Sequence, residues 1–457
     1  MAELIRKENN LPTIKVNLSD SSLSGDSPDV VLEVSRGREV VGRVALRSED
    51  LNIPPDFDPA AVHYWDPQFA ISQRFWPAIR GPAERARGSE RALWLQLAPP
   101  VGHLAVLPWE RMLEPVVGPT PIVRIPNFTL FTPLSVDRID IAVCLSEPEA
   151  KSRFDGAGFM RRFAPTLLDR HQGELHVHVF SDAETYANLM EIPQAELGSG
   201  VGRLHLHDPA RAPNAIRSAS KGSISDPTGA INSPWLLWMI DELRELTIDV
   251  VHFVTHGYLR SGQSALAVAE SPMRNEDRIW ARFIGPNQVA ACLAQLGAWA
   301  VGFTSPPENF STMGLRQFYD DVARLRAGPI VYHDAREDQQ AEDLAGAYAG
   351  LFMGASPAFR RAVSMYAHPG LFAGKTLPEG FADSFADALV SKSLGPPTPT
   401  TEAWVTSTQR YLEQAVARLF PEQRLPNSKI EQATGRGVEH ALRFVSEVLR
   451  TVGSKDK

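Results

Sequence analysis

Short apolar runs alternate with segments of helical periodicity from about residue 136 onward. Before that point, residues 30–35 and 39–46 alternate in the manner of half-buried strands. The later apolar runs predict strands at 139–145, 174–180, 201–207, 248–256, 265–270, 298–304 and 328–334, and the periodic segments predict helices at 159–170, 235–246, 288–296 and 315–325. Strands that alternate with helices indicate βαβ units and a mainly parallel sheet.

The regions outside this series have other patterns. Residues 91–97 and 103–107 flank a Pro-Pro-Val-Gly turn, which predicts a hairpin. Four helices are predicted after residue 337, at 338–353, 356–366, 403–419 and 435–451, with a Pro/Thr linker at 394–401. The chain therefore divides into a β-rich N-terminal segment (1–135), an α/β core (136–336), a helical extension (337–393) and a C-terminal helical region (402–457).

Composition and charge exclude several classes of protein. The net charge of −8 argues against nucleic acid as a major partner, because phosphate binding needs a clustered basic surface. The two cysteines exclude a disulfide framework and favour a reducing compartment. The first twelve residues lack the apolar stretch of a signal peptide, and 18 uninterrupted apolar residues occur nowhere, so a cytoplasmic protein without membrane contact is expected.

Two longer segments resemble a known family. ALWLQLAPPVGHLAVLPWERML (92–113) contains Leu107-Pro108-Trp109-Glu110, and DVVHFVTHGYLRSGQSALAVAES (249–271) contains a His-Gly pair that ends a strand. Both resemble segments of CHAT domains, which belong to the caspase-like clan of cysteine peptidases. The resemblance covers roughly residues 30–335. It implies a three-layer α/β sandwich, to which the N-terminal β-rich segment belongs and which the helical C-terminus follows.

The resemblance also implies where a catalytic site would lie. His256 would be the catalytic base or acid, and Gly257 would lend its backbone N–H to an oxyanion hole. The family's nucleophile is a cysteine at the end of the next long strand. In this chain that segment is Gly302-Phe303-Thr304-Ser305-Pro306-Pro307, without cysteine. Ser305 is then the vestigial equivalent of the nucleophile, and Thr304 and Asn309 are candidate binding residues in the remaining cleft.

The missing sulfur decides the expected chemistry. A thiol is partly ionised near neutral pH and is intrinsically nucleophilic, whereas a serine needs a tightly held and oriented general base. Pro306 offers no N–H to an oxyanion. Cys144 lies in a predicted buried strand and Cys292 on the apolar face of a predicted helix, so both are expected in the core.

The sequence thus favours a non-catalytic protein over an enzyme. The resemblance suggests an interaction or regulatory subunit of a prokaryotic signalling or antiviral defence system. Its expected partners are proteins of the same system, bound through the C-terminal helices, and no cofactor or metal is expected. Two alternatives stay open: a hydrolase that uses His256 with Ser305, which could itself be an engineered replacement of cysteine, and a module that binds a small signalling ligand.

Other polar residues have structural or functional interpretations. His252 and His256, four residues apart on one predicted strand, would share a face. The pairs His176/His178 and His205/His207 could suit a metal, although solvated strand faces are the preferred interpretation. Trp109 and Glu110 are expected to pin the N-terminal segment onto the sheet. Ser311 or Thr312 is expected to cap the helix that follows.

Overall fold

The structure is a computed structural model, and its described residues form one compact unit. It describes residues 2–18, 30–55, 57, 68–99, 101–127, 138–146, 148, 154–171, 173–193, 203–212, 230–273, 281–307, 312–354 and 359–372. The predicted linker at 394–401, the C-terminal region at 402–457, Asn309 and Ser311 lie outside the described residues.

Nine α-helices occur within the described ranges. They are α1 (Ala2–Glu8), α2 (Trp76–Arg87), α3 (Trp109–Val117), α4 (Gly156–Arg170), α5 (Ala183–Met190), α6 (Pro234–Leu243), α7 (Pro286–Leu296), α8 (Thr312–Leu325) and α9 (Glu342–Met353). Proline occupies the first helical position of both α6 and α7, where its missing N–H costs no hydrogen bond. None of the helices in these ranges combines the length and the apolar character that crossing a bilayer requires.

The strands of the described chain form one large sheet and one small sheet. They are β1 (Pro12–Leu18), β2 (Val30–Arg36), β3 (Glu39–Leu46), β4 (Leu93–Leu97), β5 (Ile122–Arg124), β6 (Arg138–Leu145), β7 (Glu174–Ser181), β8 (Arg203–His207), β9 (Val250–Val254), β10 (His256–Arg260), β11 (Gln263–Ala269), β12 (Ala281–Ile284), β13 (Ala300–Ser305), β14 (Ile330–Asp334) and β15 (Val363–Tyr366). The large sheet has the order β3-β2-β1-β4-β5-β15-β14-β13-β9-β6-β7-β8, and the small sheet has the order β10-β11-β12.

One half of the large sheet is parallel throughout. From β14 through β13, β9, β6 and β7 to the edge strand β8, each neighbouring pair is parallel. Strand β15 pairs antiparallel with β14 and parallel with β5, which connects this half to the strands of the N-terminal segment. The predicted α/β class and mainly parallel sheet are therefore confirmed.

Strand alternation separates two faces of the parallel half. Val251, Phe253, Val301 and Phe303 point to one face, where they form a core with residues of α6, α7 and α8. The intervening His252 points to the other face and stacks against Phe159 and Phe163 of α4. Both faces are thus covered by helices, as buried parallel strands require.

The Leu-Pro-Trp-Glu segment lies in a second core, under the N-terminal strands. Trp109 is fully buried there and donates its indole N–H to the Leu104 carbonyl at 2.8 Å. Glu110 accepts two hydrogen bonds from the Arg124 guanidinium, at 2.7 and 2.9 Å. Arg124 also lies over the ring of Tyr319, 5.2 Å from its centroid, which connects this segment to α8. These contacts agree with the structural function expected for Trp109 and Glu110.

Two predicted elements are wrong. The hairpin expected around residues 99–102 does not form, because residues 102–105 make a short 3-10 helix and β4 pairs in parallel with β1 and β5. The helix predicted at 356–366 is replaced in its last residues by β15. The four residues of β15 satisfy their backbone hydrogen bonds by pairing with β5 and β14, and this outweighs the helical periodicity of the segment.

The buried ion pair leads to the first prediction. Arg124→Met should lower the free energy of unfolding by about 3–5 kcal/mol, because it leaves the Glu110 carboxylate buried without its partner. Urea unfolding followed by tryptophan fluorescence measures this change. Adding Glu110→Leu to Arg124→Met should recover much of the loss.

A surface arginine provides the matched control. The Arg361 side chain is 49% exposed and lies 2.9 Å from the Glu337 carboxylate and 3.7 Å from the Glu114 carboxylate, so Arg361→Met should cost at most about 1 kcal/mol. An Arg124→Met cost no larger than that of Arg361→Met would contradict the prediction.

Candidate functional site

Two of the predicted site residues, His256 and Ser305, lie at the carboxyl edge of the parallel strands. β9 ends at Val254 and its neighbour β13 ends at Ser305, with Val254 opposite Thr304. The Thr255 N–H donates to the Thr304 carbonyl oxygen at 3.3 Å. Ser305 therefore ends one strand, and His256 follows the adjacent strand, at the edge where parallel α/β sheets carry their functional groups.

His256 is a buried imidazole at the start of a different sheet. It opens β10, lies opposite Ala267 of β11, and is only 2% exposed. Burial lowers the pKa of His256 to about 4, so the ring is neutral at pH 7. The expectation that His252 and His256 share one strand face is wrong, because β9 ends at Val254 and the chain then leaves the large sheet.

Gly257, the predicted oxyanion donor, lies beneath helix α8. It pairs with Leu266 across the β10–β11 hairpin. Gly314 of α8 comes so close that a Cβ at position 314 would lie 2.8 Å from the Tyr258 backbone and 2.9 Å from the Gly257 carbonyl carbon. Helix and hairpin are thus in backbone contact at this point, which only a glycine in the helix allows.

Polar contacts fix the hairpin to the sheet edge. The Thr255 hydroxyl donates to the Ala267 carbonyl at 2.6 Å, and the Ala269 N–H donates to the Ser146 hydroxyl at 3.0 Å. The Trp235 indole N–H of α6 donates to the Ala269 carbonyl at 2.8 Å. The edge of the sheet beside His256 is therefore covered by β11.

Ser305 is completely buried at the end of β13. Its hydroxyl lies 3.4 Å from the carbonyl oxygen of Pro306, and residue 305 pairs with Asp334 of β14. A serine becomes an effective nucleophile when an oriented base accepts its proton and a substrate can reach it. Burial of Ser305 and the low pKa of His256 both work against that chemistry.

Thr304, the predicted binding residue, is held by two histidines on the opposite face of the sheet. Its hydroxyl lies 2.8 Å from Nε2 of His252 and 3.0 Å from Nδ1 of His333. All three side chains are fully buried. The hydroxyl of Thr304 is therefore engaged within the protein, away from the His256 edge.

The chain of polar contacts extends at both ends. Nδ1 of His252 lies 2.7 Å from the Tyr348 hydroxyl of α9, and Nε2 of His333 lies 3.3 Å from the Asp338 carboxylate. We call these five side chains, Tyr348, His252, Thr304, His333 and Asp338, the central polar chain. One assignment of protons satisfies the three hydrogen bonds: Tyr348 donates to His252, His252 to Thr304 and Thr304 to His333, while Nε2 of His333 faces the Asp338 carboxylate as a polar contact.

Burial keeps the His252 imidazole of the central polar chain neutral. Burial, together with the nearby His333, lowers the pKa of His252 to about 3. Asp338 also accepts backbone N–H groups at the start of α9, from Glu342 at 3.0 Å and from Asp343 at 2.8 Å. The Asp338 carboxylate thus ends the polar chain and also accepts the backbone N–H groups in the first turn of α9, the helix that supplies Tyr348.

A glycine makes room for the central polar chain. A Cβ on Gly302 would lie 1.9 Å from the Tyr348 hydroxyl and 2.2 Å from Nδ1 of His252. Neither the spacing nor the hydropathy of the sequence indicates these contacts, although His252, Thr304 and His333 stand out as polar residues within apolar runs.

Both cysteines lie in the core of the sheet and helices α6 to α8, away from solvent. Cys144 is 1% exposed and Cys292 is fully buried. Burial raises the pKa of Cys292 to about 12 and that of Cys144 further, so both remain thiols at neutral pH. Protonated buried thiols are poor nucleophiles.

The two His-x-His motifs meet on neighbouring strands. His176 and His178 of β7 are each 4% exposed, so the interpretation as solvated strand faces is wrong for this pair. Strand β8 covers them, with His178 opposite His205. Across the described ranges, no group of three or more His, Cys, Asp or Glu side chains has an arrangement that could hold a metal ion.

Comparison with known proteins assigns no family. No protein-family model matches the chain, and no curated protein matches it in sequence. The residues at the carboxyl edge and their surroundings are therefore the basis for inferring a function.

The packing around Gly302 leads to the second prediction. Gly302→Ala should lower the free energy of unfolding by about 2–5 kcal/mol, because the added methyl group displaces the Tyr348 hydroxyl from His252 and overpacks a closed site. In a Tyr348→Phe background, which lacks that hydroxyl, the same substitution should cost less. Urea unfolding of the four proteins in this double-mutant cycle measures the difference.

Gly81 of α2 provides the control for this prediction. A Cβ there would meet only the end of the Arg85 side chain, at 3.5 Å, so Gly81→Ala should be neutral or slightly stabilising. Equal effects of Gly302→Ala and Gly81→Ala would show that position 302 has no special packing.

Proposed function

We propose that this chain is a non-catalytic, CHAT-type member of the caspase-like clan, with a three-layer sandwich fold, that acts as an interaction or regulatory subunit. Its proposed setting is a prokaryotic signalling or antiviral defence system in the cytoplasm. The proposal rests on the resemblance of residues 92–113 and 249–271 to CHAT domains and on the chemistry at the carboxyl edge.

One observation carries the non-catalytic part of the proposal. The strand next to the one that precedes His256 ends at Ser305, which Pro306 follows, and both thiols of the chain lie in the apolar core. Cys144 and Cys292 are held as thiols, and no other cysteine exists. A cysteine-peptidase reaction needs a thiolate beside the imidazole, and the described residues offer none there.

The alternative hydrolase reaction receives less support. It would require His256 to take a proton from Ser305, whereas burial keeps the pKa of His256 at about 4 and makes it a weak base. The hairpin β10–β11 and helix α8 cover the backbone that would supply an oxyanion donor. A strand edge that is covered by a hairpin and a helix in this way is suited to a rigid scaffold.

The proposed partners are proteins of the same system, bound through the C-terminal region 402–457. The proposal comes from the stripe that Val438, Leu442, Val445 and Leu449 form at helical spacing in the sequence. Apolar stripes of this kind need a covering surface, which a partner protein would supply.

The third prediction tests the absence of catalysis. Wild type, His256→Ala and Ser305→Ala should give the same background rate with fluorogenic peptide and ester substrates. Iodoacetamide should leave the native protein unmodified and should label both cysteines after denaturation. A cleavage that wild type performs and both variants lose would establish the hydrolase and overturn the proposal.

The fourth prediction tests the partner contact separately. The full chain and a variant that ends at residue 394 should be co-expressed with the products of neighbouring genes and purified by an N-terminal tag. Any protein retained by the full chain should be lost from the truncated variant. Retention by both variants would contradict binding through the C-terminal region, without bearing on catalysis.

A further inference from the structure

Four histidines form a continuous array at one edge of the large sheet. We call this array the histidine ladder; it consists of His176 and His178 on β7 and His205 and His207 on β8. The rings of His178 and His205 stack with centroids 4.6 Å apart, and those of His176 and His205 lie 5.2 Å apart. Strand β8 is the last strand of the sheet, so the ladder lies between the edge strand and its only sheet neighbour in the described chain.

Two hydrogen-bonded chains cross from β7 to β8. In the first, Nε2 of His176 lies 2.8 Å from the Glu174 carboxylate, and its Nδ1 lies 2.9 Å from Nε2 of His205. Because the carboxylate only accepts, His176 donates to it with Nε2 and accepts the Nε2–H of His205 at Nδ1.

The second chain runs between two carboxylates. Nε2 of His178 lies 3.1 Å from Asp140, and its Nδ1 lies 3.3 Å from Nε2 of His207. Nδ1 of His207 lies 3.4 Å from the Glu242 carboxylate of α6. Both chains therefore connect β8 to the sheet through a bond between one imidazole donor and one imidazole acceptor.

This bonding pattern limits how many protons the ladder can hold. One added proton in each chain is accommodated, since the tautomers can rearrange so that one of the two facing nitrogens still accepts. A second proton makes both imidazoles cationic, and both facing nitrogens become donors. The hydrogen bond between the strands is then lost, and two positive charges face each other at stacking distance.

The charged groups around the ladder do not remove the conflict between two cationic imidazoles whose facing nitrogens both donate. Burial, followed by the charges of His178 and His176, lowers the pKa of His205 to about 4. Burial lowers the pKa of His207 to about 4 as well, against the raising effect of Glu242. The remaining charged groups on the adjoining elements are Arg138 and Asp140 on β6, Glu174 on β7, Arg203 on β8, Arg211, Glu242 on α6, and Asp249 before β9.

We propose that the histidine ladder is an acid-sensitive contact, which holds the edge strand β8 on the sheet at neutral pH and releases it when a second proton enters each chain. The contact is a bond between donor and acceptor nitrogens, and acid turns the acceptor into a donor. Strand β8 has no strand on its outer side in the described chain, so release requires no other pairing to break.

The direction of the pH dependence follows from linkage. An imidazole with a pKa of about 4 on the sheet and its ordinary 6.5 when released takes up a proton on release. The contact is therefore fully present above pH 6.5 and is lost as the pH falls toward 4. From pH 7 to pH 5, each such imidazole raises the equilibrium constant for release of β8 by about 20-fold, and two together raise it by several hundred-fold.

Hydrogen exchange of the full chain, corrected for the intrinsic pH dependence of exchange, tests this proposal. The ratio of the opening equilibrium constant of β8 to that of β2 (Val30–Arg36) should rise by roughly several hundred-fold when the pH is lowered from 7 to 5. The double variant His205→Gln with His207→Gln keeps an N–H donor at each position but cannot be protonated. Its β8-to-β2 ratio should change by less than about threefold.

A control variant and a second measurement complete the test. His171→Gln removes a buried histidine outside the ladder and should leave the wild-type pH dependence of β8 unchanged. If the double variant does not fold, the pH dependence of β8 opening in wild type gives the number of protons taken up on release, which should exceed one near pH 5. A β8-to-β2 ratio that is independent of pH, or that changes equally in wild type and the double variant, would overturn the proposal.

Discussion

The central polar chain is the constraint on which the parallel half of the structure depends. Five side chains run through its interior as a continuous series of polar contacts, from the Tyr348 hydroxyl to the Asp338 carboxylate. Buried polar groups of this kind stabilise a fold only when every donor has an acceptor, and they are costly when one link is missing. The polar chain is complete only under three conditions. Helix α9 must supply Tyr348 at this position, β13 must keep its register against β9 and β14, and Gly302 must have no side chain.

This constraint also places two residues that are adjacent in sequence, Thr304 and Ser305, in different surroundings. Thr304 belongs to the polar chain on one face of the sheet, whereas Ser305, the next residue, ends the strand at the carboxyl edge. The strand must keep its register to hold Thr304 between two imidazoles, so Ser305 cannot shift along the strand to become accessible. A scaffold function is compatible with such rigidity.

The sequence predicted the parallel strands well because their signal is local. Runs such as 139–145 and 298–304 are apolar along their whole length and correspond to β6 and β13. Pairings between distant segments have no such local signal. The hairpin predicted around residues 99–102 failed because β4 finds its partners at Thr13–Val16 and Ile122–Arg124, on either side of it in the chain.

The order of strands also bears on how the chain can assemble during synthesis. β15, at residues 363–366, lies between β5 and β14, so it is the element that joins the five N-terminal strands to the parallel half. The N-terminal strands emerge from the ribosome first, yet the edge of β5 that they must offer to β15 stays unpaired until nearly all of the described chain has been made. A free strand edge is open to pairing with other chains, so the N-terminal strands stay exposed to aggregation until β15 reaches them.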